Sequence, residues 1–265
     1  MEQQVTVIDA ALTGGLGTLE ILEPGDTWGI TPASRIALRG IAASQDHLAG
    51  LGLDWGCGTG CLALLAARIP QVTRVFALDV SLRSVHITRQ NARRNDLSPK
   101  ILAMHANSFD PFNRLDREQL EAVHGQVSFV LANPPSTDDD DGFGYRRLVL
   151  AGARRVLQAG GKVLLCISSQ YGRGRIAALE EDVPGFRHQG VLASTDPVAF
   201  DLTRPELLQC LQHYAQEEQR GGYGYEFITP DGRPAESAAT ALARYEAHGH
   251  HPLSRWQVHL FTWQP

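Results

Sequence analysis

Short apolar runs alternate with helix-forming stretches along most of this chain. Leu51-Gly-Leu-Asp54 runs into a glycine turn, and Cys61-Leu-Ala-Leu-Leu-Ala-Ala-Arg68 follows as a good helix former. Val75-Phe-Ala-Leu-Asp79 is a second apolar run ending in an acid, with Ser81 placed to cap a helix reaching about Asn95. Further strands are expected over 100–105, 127–132, 162–168 and within 187–201, and Arg255 to Trp263 reads as the last. Helices are expected over 60–69, 114–124 and 143–158, the last stopping at Gly160-Gly161. Strand and helix taking turns signal a parallel sheet covered on both faces. The expected fold is therefore α/β, a doubly wound sheet of seven strands with the last one antiparallel.

Two regions stand outside that alternation. Val5-Thr-Val-Ile8 and Thr18-Leu-Glu-Ile-Leu22 flank the turn Thr13-Gly-Gly-Leu-Gly17 and read as an N-terminal β-hairpin. Pro24-Gly-Asp26 breaks the chain, and Thr31 can cap a helix that begins at Pro32 and runs to about Ala43. Between 203 and 252 lies a stretch too long for a bare loop. Helices are expected there from Pro205 to Gln219 and from Ala235 to Ala247, separated by the aromatic turn Gly221-Gly-Tyr-Gly-Tyr225. The chain thus divides into an N-terminal hairpin and helix (1–45), a main domain (46–202 with 253–265), and a helical insertion before the last strand (203–252), a candidate lid over a substrate.

Composition narrows the function classes. At 265 residues the chain suits one large domain with an insertion. Its net charge of -5 argues against a free-standing nucleic-acid binder with a broad basic face, though not against a local basic patch. The four cysteines lack zinc-finger spacing and form no disulfide framework, so reduced, buried thiols in a cytoplasmic protein are the simplest reading. No signal-like segment and no bilayer-long apolar stretch is visible, so no membrane partner is expected.

The glycine turn Gly56-Cys-Gly-Thr-Gly60 carries the first chemistry. Glycines let the backbone turn sharply and approach a ligand that a side chain would block. The spacing is G-x-G-x-G rather than that of dinucleotide binders, and no G-K-[ST] follows. Asp79 lies near the roughly 20-residue offset at which an acid reaches a ribose hydroxyl pair. The alternative is an ordinary strand–helix–strand unit in which Asp79 caps a helix. Asp54-Trp-Gly-Cys-Gly-Thr-Gly60 with Asp79 resembles the first motifs of class I S-adenosylmethionine-dependent methyltransferases, over about residues 28 to 200. The resemblance implies S-adenosyl-L-methionine as cofactor, with Asp54, Gly56, Gly58, Gly60 and Asp79 holding it and Asp79 accepting from the ribose hydroxyls. The stretch around Trp28 and Thr31 resembles the pre-domain segment of ribosomal-protein and release-factor methyltransferases, which makes both cofactor contacts; a capping threonine and a core tryptophan is the competing account. By the same resemblance Asn107 meets the adenine amine, with a turn-forming asparagine as its alternative.

Asn133-Pro134-Pro135 closes the fourth main strand on the side that faces the cofactor. The Asn133 side-chain oxygen and the Pro134 carbonyl can accept both hydrogens of a planar amide or amine, and the prolines hold them rigidly. The nitrogen gains positive charge as it attacks a methyl group, and fixed carbonyl dipoles stabilise that charge. The motif resembles the [N/D/S]-P-P-[aromatic] signature of methyltransferases acting on glutamine amides and on exocyclic amines of bases. It departs at the fourth place, where Ser136 stands, so Phe143 or Tyr145 is expected to supply the missing ring. Asp138 to Asp141 reads as a solvated loop or as an acidic mouth for a cationic substrate. Arg173 and Arg175 could grip a substrate carboxylate or phosphate, and Tyr223 and Tyr225 could close over the acceptor. His248-Gly-His-His251 has no second ligand cluster, so no metal is expected. Taken together, the sequence points to an N-methyltransferase acting on an amide or amine of a protein side chain. An RNA base or a small-molecule amine is the alternative acceptor, and a non-catalytic binding subunit of the same fold is the rival from another class.

Overall fold

The computed structural model of the chain describes residues 4–25, 29–136, 141–229, 231 and 235–265. Trp28 and Asp138, Asp139 and Asp140, singled out above, lie outside the described residues. The elements run β1 (Gln4–Ile8), β2 (Leu19–Glu23), α1 (Pro32–Ala43), β3 (Gly50–Trp55), α2 (Cys61–Arg68), β4 (Val72–Asp79), α3 (Leu82–Arg94), β5 (Ile101–Asn107), β6 (Asp110–Pro111), α4 (Arg114–Glu121), β7 (Val127–Ala132), α5 (Gly144–Val156), β8 (Leu157–Cys166), α6 (Gly172–Asp182), β9 (Phe186–Ser194), β10 (Val198–Ala199), α7 (Pro205–Gln219), α8 (Ala238–His248), β11 (Leu253–Ser254) and β12 (Gln257–Trp263).

The central sheet has the order β6-β5-β4-β3-β7-β8-β12-β9. Strands β5, β4, β3, β7 and β8 are parallel, and β12 runs antiparallel between β8 and β9. The sheet holds eight strands rather than the expected seven. The extra one is β6, two residues long, which pairs antiparallel with the end of β5 as Asn107 opposite Asp110. Ser108 makes that reversal by adopting a left-handed φ of 56°. A second departure concerns Gly160-Gly161, read from sequence as a helix stop. The helix ends at Val156, and both glycines lie inside β8. There the pairing with β7 slips between Leu157 and Lys162, and Gly160 takes φ 76° to let the strand bulge.

Each face of the sheet carries its own core. One holds α1, α2, α3 and the N-terminal hairpin, through Ile36, Ile41, Leu64, Leu65, Val85 and Ile21. The other holds α4, α5, α6 and the 203–252 segment, through Leu120, Val149, Leu150, Leu179, Tyr214 and Phe227. Amphipathic helices packed on both faces leave the carboxyl ends of the parallel strands uncovered, which is where such sheets bind ligands.

Two asparagines fasten the hairpin to the domain. Asn91 on α3 is fully buried; its Oδ1 accepts from the Leu22 N–H at 2.8 Å and its Nδ2 donates to the Leu22 carbonyl at 3.1 Å. Asn95 treats Glu20 in the same way, at 2.9 and 2.8 Å. Side-chain amides on a helix therefore continue the β-ladder of β2, and the edge strand's polar groups are satisfied. Asn91→Ala is expected to orphan the Leu22 groups and to cost about 1–3 kcal/mol of stability. Urea unfolding checks this, and an unchanged midpoint would remove Asn91 from this role.

The 203–252 segment is built as a unit. Glu218 at the end of α7 accepts from the backbone N–H groups of Tyr225, Ala238 and Ala239, at 2.7, 3.0 and 3.0 Å. A carboxylate there also complements the N-terminal dipole of α8. Tyr214 on α7 stacks on Tyr225 with centroids 4.1 Å apart, and both rings join the core beneath the sheet.

Candidate active site

Strand order reverses at β3: β4 and β5 lie on one side, β7 and β8 on the other. That switch point is where a doubly wound sheet opens a crevice. Trp55 and Ala132 are register partners at the carboxyl ends of β3 and β7, so the next residues, Gly56 and Asn133, leave the sheet side by side. The two motifs separated by almost eighty residues of sequence thus meet because their strands are neighbours.

The glycine turn is held from behind by α3. The Thr88 hydroxyl donates to the Gly58 carbonyl at 3.0 Å, and the Asn91 amide donates to the Thr59 carbonyl at 2.9 Å. Gly60 has φ 81°, and a Cβ there would stand 2.8 Å from Thr88 Cγ2, so both conformation and space demand glycine. Asp79, at the end of β4, accepts from the Gly58 N–H through one oxygen and from the Ser81 N–H through the other, each at 2.8 Å. It is half-buried, so its remaining lone pairs can meet a ligand.

Asp54 lies beneath this turn, 1% exposed. Its Oδ2 accepts from the Ala63 N–H at 3.0 Å, while Oδ1 is buried with no partner among the described residues. Burial drives its pKa up, the Ala63 N–H draws it back, and the nearby Asp79 charge adds to the rise, which brings it to about 7. A buried acceptor without a donor marks a place where a ligand's donor belongs.

On the opposite lip, Asn133 is half-buried and its side-chain amide makes no hydrogen bond with any described residue. The turn after it is clamped by Arg146 on α5, which is 4% exposed. Arg146 donates to the carbonyls of Gly142 at 2.9 Å, Pro135 at 3.3 Å and Pro134 at 3.5 Å. Its guanidinium packs over the rings of Phe143 and Tyr171, 5.2 and 5.0 Å from their centroids. Among the described residues it has no carboxylate partner, so carbonyl dipoles and aromatic faces hold its charge. The Pro134 carbonyl has two lone pairs, of which Arg146 engages one.

The family model of the methyltransferase small domain matches residues 29–187, which contain both lips of the crevice. The chain belongs to that family. Among its relatives is the release factor glutamine methyltransferase of Moorella thermoacetica, 28% identical over 150 residues, which are 52% of this chain and 53% of that protein. The ribosomal protein L11 methyltransferase of Psychrobacter arcticus is 30% identical over 116 residues, 43% of this chain and 36% of that protein. The chain thus spans about half or less of the length of these curated relatives. A 16S rRNA methyltransferase of T. Thermophilus, solved with AdoMet and guanosine, shares the fold with a TM-score of 0.53 at 18% identity, over 71% of this chain and 48% of that one.

The cofactor of this methyltransferase family, S-adenosylmethionine, fits the residues present. Its methionine ammonium is a donor of the right chemistry for the orphaned Asp54 oxygen, and the half-buried Asp79 keeps acceptor capacity suited to hydroxyl groups. Thiol chemistry is disfavoured: burial pushes Cys61 and Cys166 up to about 12, so both stay protonated.

Several expected site residues have other work. Phe143, expected to supply the missing ring, is fully buried and packs edge-on against Tyr171 at 4.9 Å. Tyr225, expected to close over the acceptor, is 3% exposed and sits between Tyr214 and the Arg175 guanidinium, whose carbon is 4.1 Å from its ring centroid. Arg175 itself is buried, donating to the carbonyls of Tyr171, Gly224 and Tyr223, so it grips this chain and not a substrate. Asp141 is no free acid: burial raises its pKa, but bidentate bonding to Arg147 at 2.5 and 2.6 Å outweighs this and holds it below its ordinary value. Thr31 caps α1 in a reciprocal box with Ser34 and is still half-exposed. His251 accepts from the Leu202 N–H at 3.0 Å, and among the described residues no group of three potential metal ligands converges.

The remaining candidates are exposed. Asn107 is exposed at the end of β5. Tyr145 is 38% exposed on the first turn of α5, and Tyr223 is 48% exposed beside the start of α6. Arg173 is exposed, with only its backbone N–H bound, to Glu226 at 2.9 Å. Sequence reasoning missed Thr88, Asn91, Arg146, Trp55 and Ser108. Thr88 and Asn91 share a helix face three residues apart, and a polar pair on the otherwise apolar inner face of α3 was the available signal.

Proposed function

We propose that this chain transfers a methyl group from S-adenosylmethionine to an amide or amine nitrogen of a protein side chain. The observation that carries the reading is Asn133: a side-chain amide without a partner among the described residues, on a clamped turn, beside the glycine turn at the sheet's switch point. When bound, the cofactor supplies an already activated methyl on a sulfonium, so alignment does most of the work. In this reading Gly56, Gly58 and Gly60 let the backbone lie close to the methionine part, Asp54 accepts from its ammonium and Asp79 from the ribose. In the same reading Thr31 and Asn107 add further contacts to the cofactor. Asn133 Oδ1 and the free lone pair of the Pro134 carbonyl accept the hydrogens of the incoming nitrogen and fix its lone pair toward the methyl. Pro135 keeps the turn rigid and passes its carbonyl to Arg146. The glutamine and ribosomal-protein methyltransferases among the relatives and the acidic net charge favour protein over RNA as acceptor.

Among the described residues no helix is long and apolar enough to cross a membrane, and a cytoplasmic enzyme is the proposed setting. Incubating the chain with tritiated S-adenosylmethionine and an extract of cells lacking its gene tests the reading. Label that protease removes and RNase leaves supports it. Label removed by RNase alone transfers the function to an RNA base. Absence of binding at near-millimolar cofactor leaves only a non-catalytic subunit.

Asp54 adds a pH dependence. The unliganded carboxyl, raised to about 7, is protonated below that value and ionised above it. An ammonium needs the ionised form, so cofactor affinity should weaken by about tenfold per pH unit below 7 and level off above it, with a proton released on binding at acid pH. Calorimetry in buffers of different ionisation enthalpy reads both. A dissociation constant flat between about pH 5.5 and 8 would separate Asp54 from the cofactor.

A further inference from the structure

The ring missing at Ser136 is not replaced by a neighbour in the same loop. The Ser136 hydroxyl accepts from Tyr171 OH at 2.9 Å, and Tyr171 OH meets Tyr214 OH at 3.2 Å. Tyr171 and Tyr214 are 3% and 4% exposed. A Cβ at Gly142 would stand 2.9 Å from the Ser136 hydroxyl and 3.0 Å from the Tyr171 ring, so Gly142 lets the loop pack closely on this side chain. Residue 136 is turned toward a hydroxyl chain that ties the Asn-Pro-Pro turn to α7.

Aromatic surface stands instead on the other side of Asn133. Trp55, the last residue of β3, pairs with Ala132 immediately before Asn133. Its Nε1 donates to the Ser108 hydroxyl at 2.9 Å, which fixes the plane of the indole across the strand ends from β3 toward β5. Ser108 is the residue held at φ 56°, so backbone strain is spent where it places this acceptor. The Tyr145 ring meets Trp55 with centroids 6.0 Å apart and planes at 50°. Its neighbour in sequence, Arg146, holds the carbonyls of Pro134 and Pro135. Trp55 is half-buried and Tyr145 38% exposed, so the pair keeps uncovered ring surface.

We infer that Trp55 and Tyr145 form the aromatic wall against which the acceptor's planar nitrogen group lies, and that they set acceptor specificity in this chain. The inference rests on the methyltransferase reading above. A planar amide offers a π-face to both rings while its hydrogens reach Asn133 Oδ1 and the Pro134 carbonyl. Trp55 stands between the acid and the first glycine of the motif, at a strand end, where a hydrogen bond and a neighbouring ring hold it.

The test uses the full chain, with total protein from cells lacking its gene as acceptor and S-adenosylhomocysteine as the cofactor probe. At subsaturating extract, Tyr145→Leu should slow tritiated-methyl incorporation by about tenfold, and Tyr145→Phe should recover most of that loss. The S-adenosylhomocysteine dissociation constant should be unchanged in both. Incorporation by Tyr145→Leu at the wild-type rate overturns the inference. So does a dissociation constant weakened by the same factor, which would make the wall a cofactor surface. If the wild-type chain labels only RNA, the protein-substrate reading falls, and the same variants read the wall with RNA as acceptor. A wild-type chain that labels neither sinks the enzyme reading and this inference together.

Discussion

Asn133→Ala is expected to lower methyl transfer by about 10²–10³-fold while leaving S-adenosylmethionine affinity unchanged. The size follows from what Asn133 would do. It holds no part of the fold, since its side chain bonds no described residue, so its removal should leave stability near wild type. It stands across the crevice from Asp54 and Asp79, so the cofactor loses nothing. What disappears is one of two fixed acceptors aimed at a nitrogen that gains charge in the transition state, a loss of about 3–4 kcal/mol. The loss should fall on turnover, because the interaction strengthens as charge develops. Asn133→Asp keeps an oxygen but adds a charge beside the Pro134 carbonyl, and should recover part of the rate. Single-turnover rates with bound tritiated cofactor separate these steps. A fully active alanine variant would strip Asn133 of its role.

The two turns that line the crevice could be read from sequence because they are made of backbone. A glycine turn and a proline turn are local objects, and their residues announce the conformation before any partner is known. That they meet follows from the alternation of strands and helices, which orders β3 and β7 as neighbours. What sequence could not deliver depends on side chains finding partners far along the chain. Phe143 and Tyr225 are aromatic and lie near the motif or in a glycine-rich turn, which is why both looked like substrate contacts. Phe143 is drawn inward because it opens α5 against Tyr171, and Tyr225 because Glu217, Tyr214 and Arg175 surround its ring. Arg175 resembles any loop arginine until the turn at 223–225 folds onto it. Trp55 was passed over for the opposite reason. It lies in a motif read for its acid and its glycines, and nothing local reveals that Ser108 and Tyr145 hold its ring. The same limit explains β6, whose pairing depends on a single left-handed serine.

The largest stability effect should come from Arg175, and it decides what the 203–252 segment is. A hinged lid would touch the domain through few groups and could detach without cost to the rest. Here the Arg175 guanidinium, fully buried on α6, lies 3.6 Å from Glu217 of α7 and 3.9 Å from Asp141 before α5. It donates to the carbonyls of Tyr223 and Gly224 at 3.0 and 3.4 Å and to that of Tyr171 at 3.2 Å, with Tyr225 stacked on its face. One cation therefore satisfies groups from the sheet side, from the turn and from the insertion at once. Arg175→Met fills comparable volume but leaves three carbonyls without their donor and the Glu217 carboxylate without its cation, its bond from the Tyr225 hydroxyl remaining. Breaking a buried pair in this way costs about 3–5 kcal/mol, a large share of the 5–15 kcal/mol that holds a domain together. Arg175→Lys keeps the charge and loses the planar fork, so its cost should fall between wild type and methionine. Global urea unfolding followed by tryptophan fluorescence reads the loss as a lower midpoint with an unchanged slope. If the midpoint stays put while hydrogen exchange quickens only over 203–252, the segment opens independently, as the candidate lid expected from sequence would. A single cooperative shift makes it a third wall of the core, and the exposed Tyr223 is then held against the start of α6 by the same guanidinium that stabilises the fold.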